Sequence, residues 1–286
     1  MQTATTIAET RRIVRDARVA GKIVGCVPTM GALHAGHVSL IEAARRECDF
    51  VVVTIFVNPT QFAPHEDLEK YPRPFKNDLE KCEAAGADLV FHPSVDEMYP
   101  VERQVNLHVG DLASRWEGTS RPDHFDGVAT VVLKLFNITL PDKAFFGAKD
   151  FQQQAIIRCL CRDLDVPVEI VTCPTVREES GLAMSSRNVY LSDTERETAL
   201  AISRALTNAR DRFQNPQSTV AEVRQQLRQD LEAVDGLELD YATVVEPVEL
   251  TESDDEQPEM VALVAARVGK TRLIDNMLLH SSEQGS

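Results

Sequence analysis

The stretch Pro28-Thr29-Met30-Gly31-Ala32-Leu33-His34-Ala35-Gly36-His37 joins an apolar run ending at Val27 to a helix-like run beginning near Val38. Two imidazoles, three residues apart, thus stand at a helix entrance. There the unpaired backbone N–H groups and the positive end of the macrodipole favour an anion, and phosphate is the obvious candidate. Gly31 and Gly36 carry no Cβ and let the main chain approach a ligand, while the histidines share one face if the helix begins between them. A His-x-x-His pair by itself more often satisfies a turn than carries chemistry. No third metal ligand follows at useful spacing, and the pair is not the His-Glu-x-x-His arrangement of zinc proteases. What favours a nucleotide site is the succession of strand, glycine-bearing turn and helix, since such sites lie at the carboxyl ends of parallel strands.

Working outward, residues 6–9 form a capping-box pattern that opens a helix to about Ala20, and Gly21 ends it. Residues 23–27 read as a buried strand, 39–48 as a helix and 50–56 as a second strand, which together make a β-α-β unit. The second strand exits through Asn58 and Gln61 at the same sheet edge as the histidines, where neutral amides suit a polar, uncharged part of a substrate. Residues 64–74 form a charged loop, 75–85 a helix stopped by Gly86, and 88–91 a third strand. Residues 105–109 read as a further short strand. A polar loop over 116–125 precedes a helix over 128–138; Trp116 suits packing, and Glu117 and Arg121, flanking a glycine, suit a charged or ribose-bearing ligand.

Residues 143–146 read as a strand that turns through Gly147-Ala148-Lys149-Asp150 into a helix reaching about Leu160, repeating the geometry of the first loop. Lys149 beside a helix start can neutralise charge growing on a phosphate, whereas most such lysines are simply solvated; Asp150 reads foremost as the helix cap. After a strand at 168–171, residues 178–188 form a glycine-hinged, mobile loop ending in two hydroxyls, a guanidinium and an amide, a set suited to phosphate. From there the pattern changes to two capped helices starting at Ser192 and Thr219 and three strands over 237–245, 260–268 and 272–279, with acidic residues 249–256 as an exposed connection. The expected architecture is α/β: a Rossmann-like parallel-sheet domain over 1–176 and a smaller α+β domain over 177–286. Gly269-Lys270-Thr271 is not a P-loop, because position 264 is Val where that loop requires Gly.

With 286 residues and 43% hydrophobic content, the chain can bury two cores. A formal net charge of −15 argues against a nucleic-acid partner. Six cysteines, mostly within apolar runs and without repeated C-x-x-C spacing or a secretory leader, fit free thiols in the cytoplasm. No apolar run reaches the ~20 residues that cross a bilayer, so no membrane association is expected.

Taken together, H-A-G-H at 34–37, F-V-N-P-T-Q-F at 56–62, F-F-G-A-K-D-F-Q-Q at 145–153, G-L-A-M-S-S-R-N at 181–188 and R-L-I-D-N at 272–276 make the chain resemble the pantothenate synthetase family almost end to end. The resemblance implies ATP-dependent joining of (R)-pantoate to β-alanine with release of AMP and diphosphate, a homodimer, Mg2+ as cofactor, and a lid role for the C-terminal domain. By position it assigns catalytic roles to His37, the family's proton donor, and to His34, Lys149, Ser185, Ser186 and Arg187. ATP would be lined by Met30, Gly31, Ala32, Leu33, His34, Ala35, Gly36 and His37, by Gly147, Ala148, Lys149 and Asp150, and by Val176, Met184, Ser185, Ser186 and Arg187. Gln61, Gln153, Asn58 and Arg121 would serve pantoate and β-alanine, and Asp78 matches an acidic position associated with magnesium. Ala35 and Ala148 stand where the family usually has glutamate, and Asn77 where an acid is common.

Three other readings make distinct demands. An enzyme moving AMP onto a phosphate ester would release no AMP, and an aminoacyl-tRNA synthetase would need a tRNA-binding domain, for which the acidic chain offers no obvious candidate. A silent nucleotide-binding module would keep the glycines and strands while losing reacting side chains.

Overall fold

The computed structural model describes residues 1–63, 66, 68–255 and 257–281. Parts of the expected charged loop at 64–74 and acidic connection at 249–256 therefore lie outside the described residues. Two compact units emerge, one made of residues 1–148 and 156–174, the other of 149–155 and 175–286. Residues 175–176 and 149–155, read above with the first domain, thus pack with the second. The reason is local: the Lys149 carbonyl accepts a bond from Asn276 Nδ2 (2.7 Å), and the Val176 carbonyl accepts the Met184 N–H (2.9 Å).

In the first unit, among the described residues, six parallel strands lie in the order β1-β4-β3-β2-β5-β6. They are β1 (Gln2–Ala4), β2 (Val24–Thr29), β3 (Phe50–Ile55), β4 (Leu89–Phe91), β5 (Lys143–Gly147) and β6 (Glu169–Cys173). The helices are α1 (Ile7–Val19), α2 (Ala35–Glu47), α3 (Phe75–Ala84), the short α4 (Val95–Met98) and α5 (Glu117–Ser120), α6 (His124–Thr139) and α7 (Phe151–Asp163), whose first turn belongs to the second unit. Side chains on a strand alternate between faces. Val51, Val53 and Ile55 of β3 accordingly join the core with Ile41 and Ala44 of α2 and Cys82 of α3, while Phe50 and Val52 meet Ile13 and Val14 of α1. Cys26, Ala144 and Phe146 pack with Val128, Val132 and Leu135 of α6 and Ile157 of α7. Both faces are buried, which explains the unbroken apolar runs.

Two expectations change. Residues 105–109 form no strand: Val105 is 85% exposed, so a strand there would bury little. The sixth strand is instead β1, pairing in parallel with β4, and three residues are too few to show periodicity. The expected loop over 116–125 holds α5 and the start of α6. That helix lies so close to the 3-10 turn Pro59–Gln61 that a Cβ on Gly127 would sit 2.2 Å from the Thr60 carbonyl oxygen.

In the second unit, β7 (Leu237–Val245), β8 (Glu259–Val268) and β9 (Thr271–His280) form an antiparallel sheet, covered by α8 (Asp193–Phe213) and α9 (Val220–Glu232). Reciprocal capping boxes, Ser192 with Glu195 and Thr219 with Glu222, start both helices. Gly269-Lys270 is the two-residue turn of the β8–β9 hairpin, with Gly269 at φ +57°, which accounts for a glycine-lysine pair unrelated to phosphate. All six cysteines are free and five are buried; burial pushes the Cys26 and Cys82 thiols up to about 12. Among the described residues no helix is long and apolar enough to cross a membrane.

Phe145 on β5 is completely buried beside the central strand. Phe145→Ala is expected to lower unfolding free energy by about 3–5 kcal/mol in urea denaturation, without a change of fold by circular dichroism.

Candidate active site

Strand order reverses at β2 and β5: β3 and β4 follow β2 on one side, whereas β5 and β6 lie on the other. Chains leaving the carboxyl ends of β2, β3 and β5 frame the crevice that such a switch creates.

The loop after β2 is held by its neighbours. Gly31 (φ +84°) and Ala32 (φ +51°) are both left-handed, an unfavourable conformation for alanine. Buried Asp78 of α3 offsets it, its Oδ2 accepting the Ala32 N–H (2.9 Å) and its Oδ1 the Leu33 N–H (2.8 Å), while Lys81 donates to the Leu33 carbonyl. Asp78 thus organises the loop with both oxygens. Among the described residues no group of three His, Cys, Asp or Glu side chains gathers as a metal site. Asp78, with Asn77 and Lys81 on the same helix, does not fit a resident magnesium site.

Helix α2 begins between the histidines, earlier than the hydrophobic pattern indicated, because the imidazoles cap it. His34 Nδ1 accepts the Gly36 N–H (3.1 Å), and His37 Nδ1 accepts the His34 N–H (3.3 Å). The ring centroids lie 4.2 Å apart. An Nδ1 that accepts carries no proton, so both rings are neutral and protonated at Nε2, the form that donates to an anion from that nitrogen.

After β3, Asn58 and Gln61 form an amide pair. Asn58 Nδ2 donates to Gln61 Oε1 (3.1 Å) and to the Gly127 carbonyl (3.1 Å), while Asn58 Oδ1 accepts from Thr60 Oγ1 (3.0 Å) and Tyr99 Oη (2.9 Å). Burial pushes the Tyr99 phenol up, which keeps its proton in place. Gln61 Nε2 donates to Met30 Sδ (3.1 Å), linking the amides to the histidine loop. Arg121 is engaged with protein groups: Nε donates to Glu66 Oε1 (2.6 Å), Nη2 to Glu66 Oε2 (2.8 Å), and Nη1 to His124 Nε2 (3.0 Å). Burial tends to raise the Glu66 carboxyl, but the bond and charge of Arg121 outweigh it and hold it below the ordinary range. His124 went unnoticed in the sequence because a lone histidine at a helix start has no pattern to betray it. Burial, with Arg121 alongside, pushes its imidazole down to about 4. Gly147 ends β5, and the Ala148 N–H bonds to the Cys173 carbonyl (2.8 Å).

In the second unit, the Asp150 carbonyl accepts the Gln154 N–H (3.0 Å), placing Asp150 at the start of α7, with Gln153 in the first turn; Lys149 Nζ lies 3.8 Å from Asp150 Oδ1. The 178–188 loop is cross-braced. Asn188 Nδ2 donates to Glu178 Oε1 (2.9 Å), and Arg196 donates to Glu178 Oε2 (2.9 Å) and to the Asn188 carbonyl (3.0 Å). Before it, Arg177 makes a forked ion pair with buried Asp275 (2.6 and 3.0 Å). Asp275 and Asn276 are the buried polar pair of the R-L-I-D-N motif, and the carboxylate of Asp275 forms this brace. Ser185 Oγ caps the 3-10 turn Ser186–Tyr190 by accepting the Arg187 N–H (3.3 Å).

Residues 2–278 match the family described as pantoate-beta-alanine ligase. The chain is 51% identical over 280 residues to pantothenate synthetase 1 of Bradyrhizobium diazoefficiens, covering 98% of both chains. It superposes on a pantothenate synthetase crystal structure from Thermus thermophilus with TM-score 0.91 and 46% identity, over 97% of this chain and 99% of the other. A pantoate-beta-alanine ligase from Francisella tularensis, complexed with beta-gamma ATP and beta-alanine, aligns with TM-score 0.79 and 36% identity over 97% of each chain.

If Asp78 acts as the anchor of the loop, Asp78→Ala should cost about 2–4 kcal/mol in urea denaturation, since two bonds to a charged acceptor are lost, and Asp78→Asn clearly less. The difference should be the same with and without Mg2+; a loss seen only with Mg2+ present would instead mark Asp78 as a metal ligand.

Proposed function

Because the chain belongs to the pantoate-beta-alanine ligase family, we propose that its two units serve one AMP-forming ligation with an assignable division of labour. The activity is ATP-dependent condensation of pantoate with β-alanine to pantothenate, AMP and diphosphate. A carboxylate is a poor acyl donor, so the pantoate carboxylate first attacks the α-phosphorus of ATP, releasing diphosphate. The β-alanine amine then attacks the acyl adenylate carbonyl, and AMP departs.

The observation that carries this reading is the neutral histidine pair. With Nδ1 occupied by main-chain donors, His34 and His37 offer Nε2–H to the phosphates of ATP at the start of α2, where the helix dipole adds to the attraction. Met30–His37, Gly147–Asp150, Val176 and Met184–Arg187 bind ATP in this assignment. In this assignment His37 donates a hydrogen bond from Nε2–H to the leaving diphosphate, and Lys149, Ser185, Ser186 and Arg187 share the charge that grows on it. Gln61, whose carboxamide is aligned by Asn58 and Met30, binds pantoate and β-alanine, and Gln153 binds pantoate. Magnesium enters with the substrate as MgATP, since both oxygens of Asp78 are committed to the loop. Residues 177–286 act as the lid that keeps water from the acyl adenylate. The working form is a homodimer in the cytoplasm, where the six thiols stay reduced.

Incubation with MgATP, pantoate and β-alanine should release AMP, diphosphate and pantothenate in equal amounts, followed by mass spectrometry. Diphosphate without pantothenate would mean adenylyl transfer to another acceptor. Lys149→Ala should slow single-turnover formation of the pantoyl adenylate by about 100-fold or more, with the thermal midpoint retained; an unchanged rate would remove Lys149 from the mechanism.

A further inference from the structure

Behind Gln61 lies a buried polar assembly to which the reaction as derived assigns no task. The imidazole of His124 is bonded at both nitrogens: Nδ1 lies 2.8 Å from the Gln61 carbonyl oxygen, and Nε2 lies 3.0 Å from Arg121 Nη1. A guanidinium can only donate and a carbonyl oxygen can only accept. His124 therefore carries its single proton on Nδ1 and gives it to Gln61, while its bare Nε2 receives Arg121. Arg121 is in turn fixed by the two bonds to Glu66, and its Nη2 also reaches the Gln61 carbonyl (3.4 Å). Arg121 and Glu66 are each about one-fifth exposed at the side chain, and His124 is 9% exposed, so water competes little for these bonds.

The geometry points to His124 as a positioning residue for the ligation, holding the Gln61 backbone, with Arg121 and Glu66 behind it, so that the Gln61 carboxamide meets pantoate in one orientation. The inference rests on the assignment of Gln61 to pantoate made above. Gln61 is clamped from two directions. Asn58 and Met30 fix the carboxamide, and His124 fixes the peptide carbonyl from the start of α6. The backbone there has little room to relax, because α6 approaches the 3-10 turn at Gly127 with no space for a Cβ. Releasing the carbonyl leaves the amide bonded at its tip but free to tilt at its root, a small displacement of the kind to which substrate affinity and rate respond steeply. Arg121 then influences pantoate through Gln61.

The test is a substrate-resolved comparison in the full-length enzyme. His124→Phe keeps the ring volume and removes both bonds, whereas His124→Asn can place its amide N–H near the position of Nδ1 and restore the bond to Gln61. The Phe variant is expected to raise KM for pantoate about tenfold or more, with KM for ATP within about twofold of wild type, and the Asn variant to recover most of the loss. A folded Phe variant with unchanged pantoate KM, or with both KM values raised alike, overturns the proposal. A second measurement on the wild type does not depend on any variant folding: nitrogen-15 spectra of the imidazoles at neutral pH should show His124 neutral with its proton on Nδ1, and a proton on Nε2 overturns the proposal. Failure of the wild type to consume pantoate at all would instead reject the assignment of Gln61, which separates the two claims.

Discussion

A single carboxylate holds the loop on which the site depends. Asp78 reaches from α3 to accept two consecutive main-chain N–H groups at Ala32 and Leu33, in a turn whose left-handed residues would not persist unaided. Once that turn is set, His34 falls at the N-cap of α2 and His37 one turn in, and each ring closes onto main chain through Nδ1. The protonation state of both imidazoles follows from backbone geometry. A change at Asp78 would therefore be felt at atoms it does not touch.

The same economy appears after β3. Asn58 places all its polar capacity into protein: two donors to Gln61 and Gly127, and an oxygen shared by Thr60 and Tyr99. A buried polar group left partly unsatisfied would be costly, and a fully bonded one is rigid. Rigidity here gives the Gln61 carboxamide a fixed orientation. The second unit uses charge in place of amides, with Glu178 bridging Asn188 and Arg196, and Asp275 forked to Arg177.

Much of this was legible in the chain because its signals are periodic or punctuated. Apolar runs bounded by glycine and proline located β2, β3, β5 and β6, and capping boxes located α8 and α9. The short β1 escaped because three residues have no period, and 105–109 misled because apolar residues alternate there without a core to receive them. The histidines and glycines of the first loop stand close together in sequence, so their shared place at the start of α2 could be read directly. The bonds of Asp78 and His124 could not, because each is made to a partner 45 to 63 positions away, as the spans Asp78 to Leu33 and His124 to Gln61 show. For Arg121 the sequence displays the charge but not the Glu66 carboxylate that receives it in the folded chain.

The division of the chain into 1–148 with 156–174 and 149–155 with 175–286 bears on how the protein can be dissected. The polypeptide passes from one unit to the other three times, so no single cut yields both units whole. A fragment ending at Pro174 would carry residues 149–155 without Asn276, the side chain that bonds the Lys149 carbonyl, and a fragment starting at Thr175 would lack Lys149 itself. Gene fusions or splits that treat the two units as beads on a string would divide the lysine from its own support, and the modularity visible in the two sheets does not extend to the covalent chain.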